Sequence, residues 1–262
     1  MINLIKSDLY RLFRSKTYKN CALGAFGVVI FVLGISIFTD VELWIMAFTG
    51  NDGIRRGFMI GLEQVSNFKQ LIINALGSGA GIYIISIALT SSVIISKTRS
   101  GIMKNTVSYG YERWRIYLSQ AISLMVGMSI LITFTALFIL IITSFVFKGL
   151  SINYEDILLL IKSLVLYMVI VSATISIYML LATIIPNSEV ISVIAIIEMV
   201  GLAMVGPILS TKVNSFIPYS MIRILAQIPD SIDFTSYLIN GLIIITISTL
   251  LGIAVFNKKE IK

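Results

Sequence analysis

The chain has 262 residues, of which 57% are hydrophobic and 13% are charged, with a formal net charge of +7 and a mean hydropathy of +0.97. Soluble domains carry about 25% charged residues, so this composition is that of a membrane protein, and its basic residues are expected to sort by membrane side rather than to bind nucleic acid. A single cysteine excludes an intramolecular disulfide and a cysteine-rich metal site, and the lack of histidine excludes imidazole catalysis and histidine-ligated metals.

The chain begins with a predicted amphipathic helix over residues 2–15, within an N-terminal elbow segment that covers residues 2–19. One face carries apolar side chains at helical spacing, and the other carries basic ones, Lys6, Arg11 and Arg14. The apolar set is Ile2, Ile5, Leu9, Leu12 and Phe13. Such a helix lies along the cytoplasmic interface and meets anionic lipid. It is either a simple membrane anchor or an elbow that also touches a cytoplasmic partner.

Six apolar segments are long enough to span the hydrocarbon, which needs about 20 residues. The first is expected to be retained, because no cleavage site follows the charged N-terminal segment. The predicted spans are Cys21–Phe38, Ile72–Ser96, Tyr117–Phe147, Ile157–Ile185, Val190–Leu209 and Ser236–Phe256. Residues 1–19, 97–115 and 257–262 fall on one side of this topology and hold 13 of the 20 basic residues. We therefore predict an all-α integral membrane protein with both termini in the cytoplasm.

The segment 97–115 between the second and third spans is longer than a plain connector needs to be. Gly101 and Gly110 bracket a stretch that is predicted to form one or two helical turns, and Trp114 suits the headgroup level. The segment is either a charged loop that only sets topology or a structured cytoplasmic element. On the other side, residues 39–70 and 210–235 are predicted to be extracellular, and the second of these is expected to contain short helices that dip into the outer leaflet.

The motifs of ATP binding and of metalloprotease chemistry are absent from the sequence. Ser78 lies in Gly77-Ser78-Gly79-Ala80-Gly81, but no histidine is present to activate it, and small residues at this spacing favour close helix packing. We therefore predict no catalytic residue, no metal site and no cofactor of the chain's own.

Glu198 is the only carboxylate well inside a long apolar segment. A charge near the bilayer midplane is costly, so it marks a pathway or a partner by default. One interpretation is a structural glutamate that is hydrogen-bonded across a helix interface to serine, threonine or tyrosine. The other is a residue that lines a translocation path or a subunit interface. Lys162, the other ionisable residue inside a span, lies near the outer end of its helix, which makes a direct pair unfavourable.

The layout of six spans, a basic amphipathic helix, a structured loop after the second span and a proline-containing outer hairpin resembles the small ABC-2 type permeases over the whole chain. The most specific part is the loop after the second span, where the family often has an acidic residue, Gly-Thr, a polar helix and an Arg before the next span. Gly101 and Arg113 match this pattern. Ile102 replaces the threonine, and Lys97 or Arg99 stands where an acid is common.

The resemblance implies one permease domain over residues 1–262 that works as a homodimer or with a sister permease. A separate nucleotide-binding subunit would hold ATP and Mg²⁺ and dock on the loop after the second span and near the elbow. The residues that would couple the two subunits are Gly101, Met103, Lys104, Asn105, Thr106 and Arg113.

Implied substrates are amphipathic molecules such as antimicrobial peptides, lipids or drugs, and the Ile-, Lys- and Asn-rich sequence favours a peptide export or immunity role in a bacterial cytoplasmic membrane. Two other functions stay open. The first is a secondary transporter or channel that uses Glu198 as a proton or ion site. The second is a non-transporting immunity or sensor protein that binds peptide at its outer loops, which would not need a docking helix in segment 97–115.

Overall fold

The computed structural model describes residues 1–38, 43–49, 55–60, 68, 72, 76, 79–99, 102–146, 153–205, 209–227 and 233–258. Apart from one pair of strands, the described elements are α-helices. In chain order the helices are α1 (Ile2–Arg14), α2 (Lys16–Phe38), α3 (Gly79–Arg99), α4 (Ile102–Ser108), α5 (Arg113–Val146), α6 (Tyr154–Ile184), α7 (Ser188–Val205), α8 (Thr211–Asn214), α9 (Pro218–Gln227) and α10 (Phe234–Lys258).

Helices α1 and α2 are separated by Ser15 alone. Its backbone is extended (φ −66°, ψ 139°), which ends the first helix. The Ser15 hydroxyl donates to the carbonyl of Leu12 at 2.7 Å and accepts from the backbone N–H of Tyr18 at 3.1 Å. One side chain thus satisfies an orphan carbonyl of α1 and an orphan amide of α2, which stabilises the bend between them.

The two strands are β1 (Leu43–Thr49) and β2 (Arg55–Ile60), which pair antiparallel with Leu43 opposite Ile60 and Thr49 opposite Arg55. This sheet is a departure from the all-α architecture that the sequence predicts. Its sequence has the residues that strands favour, since Trp44, Ile45 and Phe48 precede a Gly-Asn-Asp-Gly stretch that is typical of turns.

Among the described residues, four helices are long and apolar enough to cross a membrane: α3, α5, α6 and α10. The chain is therefore a multi-pass membrane protein. Helices α2 and α7 have 23 and 18 residues. At 1.5 Å per residue they reach about 35 Å and about 27 Å, close to the thickness of the hydrocarbon. That these two also span, giving six spans, remains a prediction.

Helix α6 lies at the centre of the bundle and contacts α3, α5, α9 and α10. Its buried residues include small and hydroxylic side chains such as Ser163, Ala173 and Ser176, which let neighbouring helices approach closely. Helix α10 packs with glycines in the same way. A Cβ at Gly252 would overlap the ring and hydroxyl of Tyr117 on α5, so no larger residue fits there without displacing that ring.

Candidate functional site

Helix α4 is the short helix predicted between Gly101 and Gly110. It covers Ile102–Ser108 and contacts both α3 and α5. Its termination is explained by Gly110, whose φ of +84° is the left-handed conformation that glycine adopts most easily and whose N–H donates to the carbonyl of Val107 at 2.9 Å.

Of the residues expected to couple to an ATPase, Met103 is buried, and Thr106 and Arg113 are half-buried. Met103 is 3% exposed, and its sulfur lies 3.4 Å from the hydroxyl oxygen of Thr98 at the end of α3. Thr106 is half-buried and donates to the carbonyl of Ile102. Lys104 and Asn105 lie within α4, and Gly101 lies outside the described residues. Met103 therefore packs α4 against the end of α3.

Arg113 belongs to the first turn of α5, and its side chain reaches the last turn of α10. Its Nη1 donates to the carbonyl of Asn257 at 2.9 Å, in the last turn of α10. A cation there satisfies an orphan carbonyl and complements the helix dipole. Arg113 thus connects the segment after α4 with the C-terminal helix.

A buried ion pair joins α1 to α3 beside α4. Lys97 Nζ lies 2.8 Å from Asp8 Oδ1, and the two side chains are 12% and 8% exposed. The other carboxylate oxygen of Asp8 accepts from the hydroxyl of Ser119 on α5 at 2.7 Å. One carboxylate therefore links three helices on the side of the molecule where α4 lies.

Two cavities lie next to this ion pair. The first has a volume of about 240 Å³ and is lined by parts of α1, α2, α3 and α5 and by the first residue of α4, and it includes Leu12, Thr17, Val93 and Leu124. The second has a volume of about 370 Å³ and is lined by α1, α4 and the start of α5, including Asn3, Thr106, Tyr109 and Tyr111. The residues common to both are Asp8, Arg11, Lys97, Ile102 and Gln120, so the two cavities adjoin. We refer to them together as the α1–α4 cleft.

Glu198 forms a second polar cluster, separate from the α1–α4 cleft. It lies on α7, is half-buried, and accepts hydrogen bonds from two tyrosines on other helices. Tyr83 of α3 donates to Oε1 at 3.0 Å, and Tyr178 of α6 donates to Oε2. The Tyr83 ring in turn packs edge-to-face on Tyr219 of α9, with ring centroids 5.6 Å apart.

This arrangement gives Glu198 the cross-helix hydrogen bonds that one of the two interpretations of the sequence describes. It ties α7 to α3 and α6, and Tyr219 extends the cluster to α9. Lys162 is exposed and takes no part in it. Whether Glu198 also lines a pathway stays a prediction.

Sequence reasoning missed Asp8, Ser119, Tyr83 and Tyr178. Asp8 has a local signal, because it stands between Leu4 and Leu12 at helical spacing and thus on the apolar side of α1. The tyrosines have no such signal, since Tyr83 is 115 positions from Glu198 and aromatic residues are common in spans.

No protein-family model matches the chain, and no curated protein matches it.

Proposed function

We propose that this chain is the transmembrane permease subunit of an ATP-binding-cassette exporter, which moves an amphipathic substrate out of the membrane or across it. The observation that carries the proposal is the placement of α4. This short helix lies between the ends of two spanning helices and beside α1, where a separate ATPase subunit can push on all three. The chain has no P-loop sequence, so ATP and Mg²⁺ would be bound by that partner.

The contacts around α4 would transmit a displacement of this helix to the spanning helices. Met103 connects α4 to the end of α3 through Thr98. One residue earlier, Lys97 holds Asp8 of α1, which in turn holds Ser119 of α5. A displacement of α4 would move the end of α3, which carries Lys97. Because the Asp8–Lys97 pair is buried and costly to break, α1 and the neighbouring end of α5 would move together with α3.

Farther along the same helix, Tyr83 joins α3 to Glu198 on α7. A rotation of α3 would therefore pull on α7 and, through Tyr219, on the hairpin of residues 210–235. In this proposal the substrate leaves laterally or outward past that hairpin. A second copy of the chain or a sister permease would form the other half of the path.

The test is affinity purification of the tagged chain from its native cells in mild detergent or nanodiscs, with mass spectrometry of the proteins that accompany it. We expect a P-loop ATPase at a stoichiometric ratio. The Lys104→Glu, Asn105→Ala double variant should lose this ATPase, whereas Lys212→Glu in α8, which changes charge at an exposed lysine far along the chain, should keep it. A chain that purifies alone, or a double variant that still retains the ATPase, would refute the assignment of α4.

One observation favours a second candidate, a stand-alone transporter that uses Glu198 as a proton or ion site: this carboxylate lies half-buried in an apolar helix and is held by two hydroxyl groups. Transport measurements separate the two. The exporter requires the ATPase activity of its partner and survives a protonophore, whereas a proton-driven transporter continues with an ATPase-dead partner and stops with a protonophore. Full transport by Glu198→Gln at every pH would make Glu198 purely structural.

A further inference from the structure

The α1–α4 cleft is divided into an apolar part and a polar part. The first cavity extends along the spanning helices, since Val93 lies six residues before the end of α3, about 9 Å along the helix, and Leu124 lies eleven residues into α5, about 16 Å along it. The second cavity lies around α4 and includes the polar groups of Asn3, Thr106 and Tyr109. The cleft therefore suits a ligand with an apolar end and a polar end.

The depth of the first cavity discriminates between possible occupants. A peptide segment inserted between α3 and α5 would bring unpaired backbone N–H and C=O groups to membrane depth, where each costs several kcal/mol. A hydrocarbon chain has no such groups. The apolar end of the ligand is thus better supplied by an acyl chain than by a segment of a protein partner.

The charges of the cleft favour an anionic polar end. Arg11 and Lys97 line both cavities, together with one acid, Asp8. Both carboxylate oxygens of Asp8 already accept hydrogen bonds, from Lys97 and from Ser119. Arg11 is exposed and contributes the net positive charge of the lining, with five donors in a planar fork that matches a phosphate.

We propose that the α1–α4 cleft binds one anionic phospholipid from the leaflet on the α1 side. Its phosphate lies at Arg11, where the two cavities meet, and an acyl chain occupies the cavity between α1, α3 and α5. A lipid there fills the space behind α4 and sets how far that helix moves toward the bundle. Lipid binding at this site requires a membrane but no ATPase. The lipid proposal and the proposed ATPase partner are therefore tested independently of each other.

Native mass spectrometry of the purified, delipidated chain, reloaded with phosphatidylglycerol or with phosphatidylcholine, tests the proposal. We expect one phosphatidylglycerol to be retained in preference to phosphatidylcholine. Arg11→Gln should weaken this retention about fivefold, because one basic contact at the membrane surface is worth about 1 kcal/mol. Arg14→Gln is the matched control, since Arg14 lies on the same helix, carries the same charge and stacks on Tyr10 instead of lining either cavity.

A second arm tests the acyl chain separately from the charge. Thr17→Phe places a ring in the first cavity and should lower retention of phosphatidylglycerol without altering any charge, and Arg11→Lys should restore part of the binding lost in Arg11→Gln. Each variant is compared only if its melting temperature shows that it is folded. Ser96→Phe, at an exposed position of the same cavity wall, replaces Thr17→Phe if the latter does not fold.

Two results would overturn the proposal. Equal losses of lipid in Arg11→Gln and Arg14→Gln would show diffuse attraction to the helix, and displacement of the lipid by inorganic phosphate would show a site for a free anion.

Discussion

At the residue scale, Asp8 shows how a charge is accommodated on the apolar side of an amphipathic helix. The α1 face that packs on the bundle includes Leu12, which is 4% exposed, and Asp8, which is 6% exposed, whereas Ile2 at the start of the predicted apolar face is 70% exposed. The helix is rotated toward Asp8 because Lys97 and Ser119 supply the partners that a buried carboxylate requires. The basic residues Lys6, Arg11 and Arg14 are exposed, as the pattern predicts.

Removing one partner of this ion pair should destabilise the protein strongly. We expect Lys97→Met to lower the free energy of unfolding by about 3 kcal/mol or more, because it leaves the Asp8 carboxylate buried with Ser119 as its one remaining side-chain partner among the described residues. The Asp8→Asn, Lys97→Gln double variant should recover most of this loss, since neither charge then remains. Chemical or thermal unfolding in detergent gives the double-mutant cycle.

The exposed pair of Glu112 and Arg115 is the control, because its side chains are 55% and 45% exposed. Glu112→Gln should change the free energy of unfolding by less than about 1 kcal/mol. If Lys97→Met has an effect as small as that of Glu112→Gln, the Asp8–Lys97 pair does not hold α1 on α3.

Gly252 is the second residue whose replacement has a defined consequence. Gly252→Ala puts a Cβ into the ring of Tyr117, which is 2% exposed, so that ring must shift within the core, and we expect a loss of about 1–3 kcal/mol in unfolding free energy. Gly24→Ala on α2 is the matched control, since no atom lies within 4 Å of its added Cβ. A Gly252→Ala variant that melts at the temperature of Gly24→Ala would show that α5 and α10 are not in close contact.

At the element scale, the long helices were predictable because their apolar runs are continuous. Their starts differ from the predictions by a few residues: α5 begins at Arg113 rather than Tyr117, and α6 begins at Tyr154 rather than Ile157. A helix continues into polar residues at the membrane surface, and a search for apolar runs does not include those residues. The strands β1 and β2 were not predicted. They lie in a short segment of mixed apolar and charged residues, and the expectation of an all-helical fold was given more weight than the local preference of Trp44 and Phe48 for strand.

The two polar sites were less predictable than the helices. Glu198 is recognisable as the one carboxylate in an apolar run, and the position of α4 follows from Gly101 and Gly110. The partners of Glu198 and the Asp8–Lys97 pair are contacts between residues 89 to 115 positions apart, apart from Tyr178. Such contacts depend on how helices rotate and pack against each other, which the periodicity of a single helix does not determine.

The start of α10 is an element whose stability should depend on pH. Asp233 accepts hydrogen bonds from the hydroxyl and the backbone N–H of Ser236, and these lower the pKa of the Asp233 carboxyl below its ordinary value. A lowered folded pKa means that the stabilisation is complete above the unfolded pKa and is lost as the pH falls through the folded value. The first turn of α10 should therefore loosen only in acid, below about pH 4.

Hydrogen exchange at the amide of Ser236, corrected for the intrinsic rate at each pH, measures this loosening. Asp233→Asn keeps an N-cap acceptor without the titration, so its protection should be independent of pH across the same range. Asp233→Ala removes the cap, so in this variant the amide of Ser236 should be unprotected from exchange at every pH. Equal pH profiles for the natural chain and Asp233→Asn would assign the acid transition to another group.

At the scale of the whole molecule, the number of crossings fixes which surfaces a partner reaches. Four described helices meet the length and hydropathy of a span, and among the other described helices α2 and α7 decide between four, five and six crossings. The turn between α6 and α7 has only residues 185–187, with Pro186 among them, so α7 must run back along α6 or lie in the interface. If both α2 and α7 cross, α1, α4 and the end of α10 share one side. If only one crosses, the two termini lie on opposite sides.

Cysteine labelling distinguishes these topologies, and the chain offers a simple background because Cys21 is its only cysteine. In a Cys21→Ser protein, single cysteines at Asn3, Tyr109 and Asn257 report the side of α1, of the turn after α4 and of the end of α10. Cysteines at Tyr154 and Ser215 report the other side. Six crossings predict that a membrane-impermeant maleimide labels the first three only in inverted vesicles and the last two only in right-side-out vesicles. Labelling of Asn3 and Asn257 from opposite sides would show an odd number of crossings. Labelling of Asn3 and Tyr109 from opposite sides would remove α1 from the surface that we assign to the ATPase, so this experiment precedes any search for coupling residues.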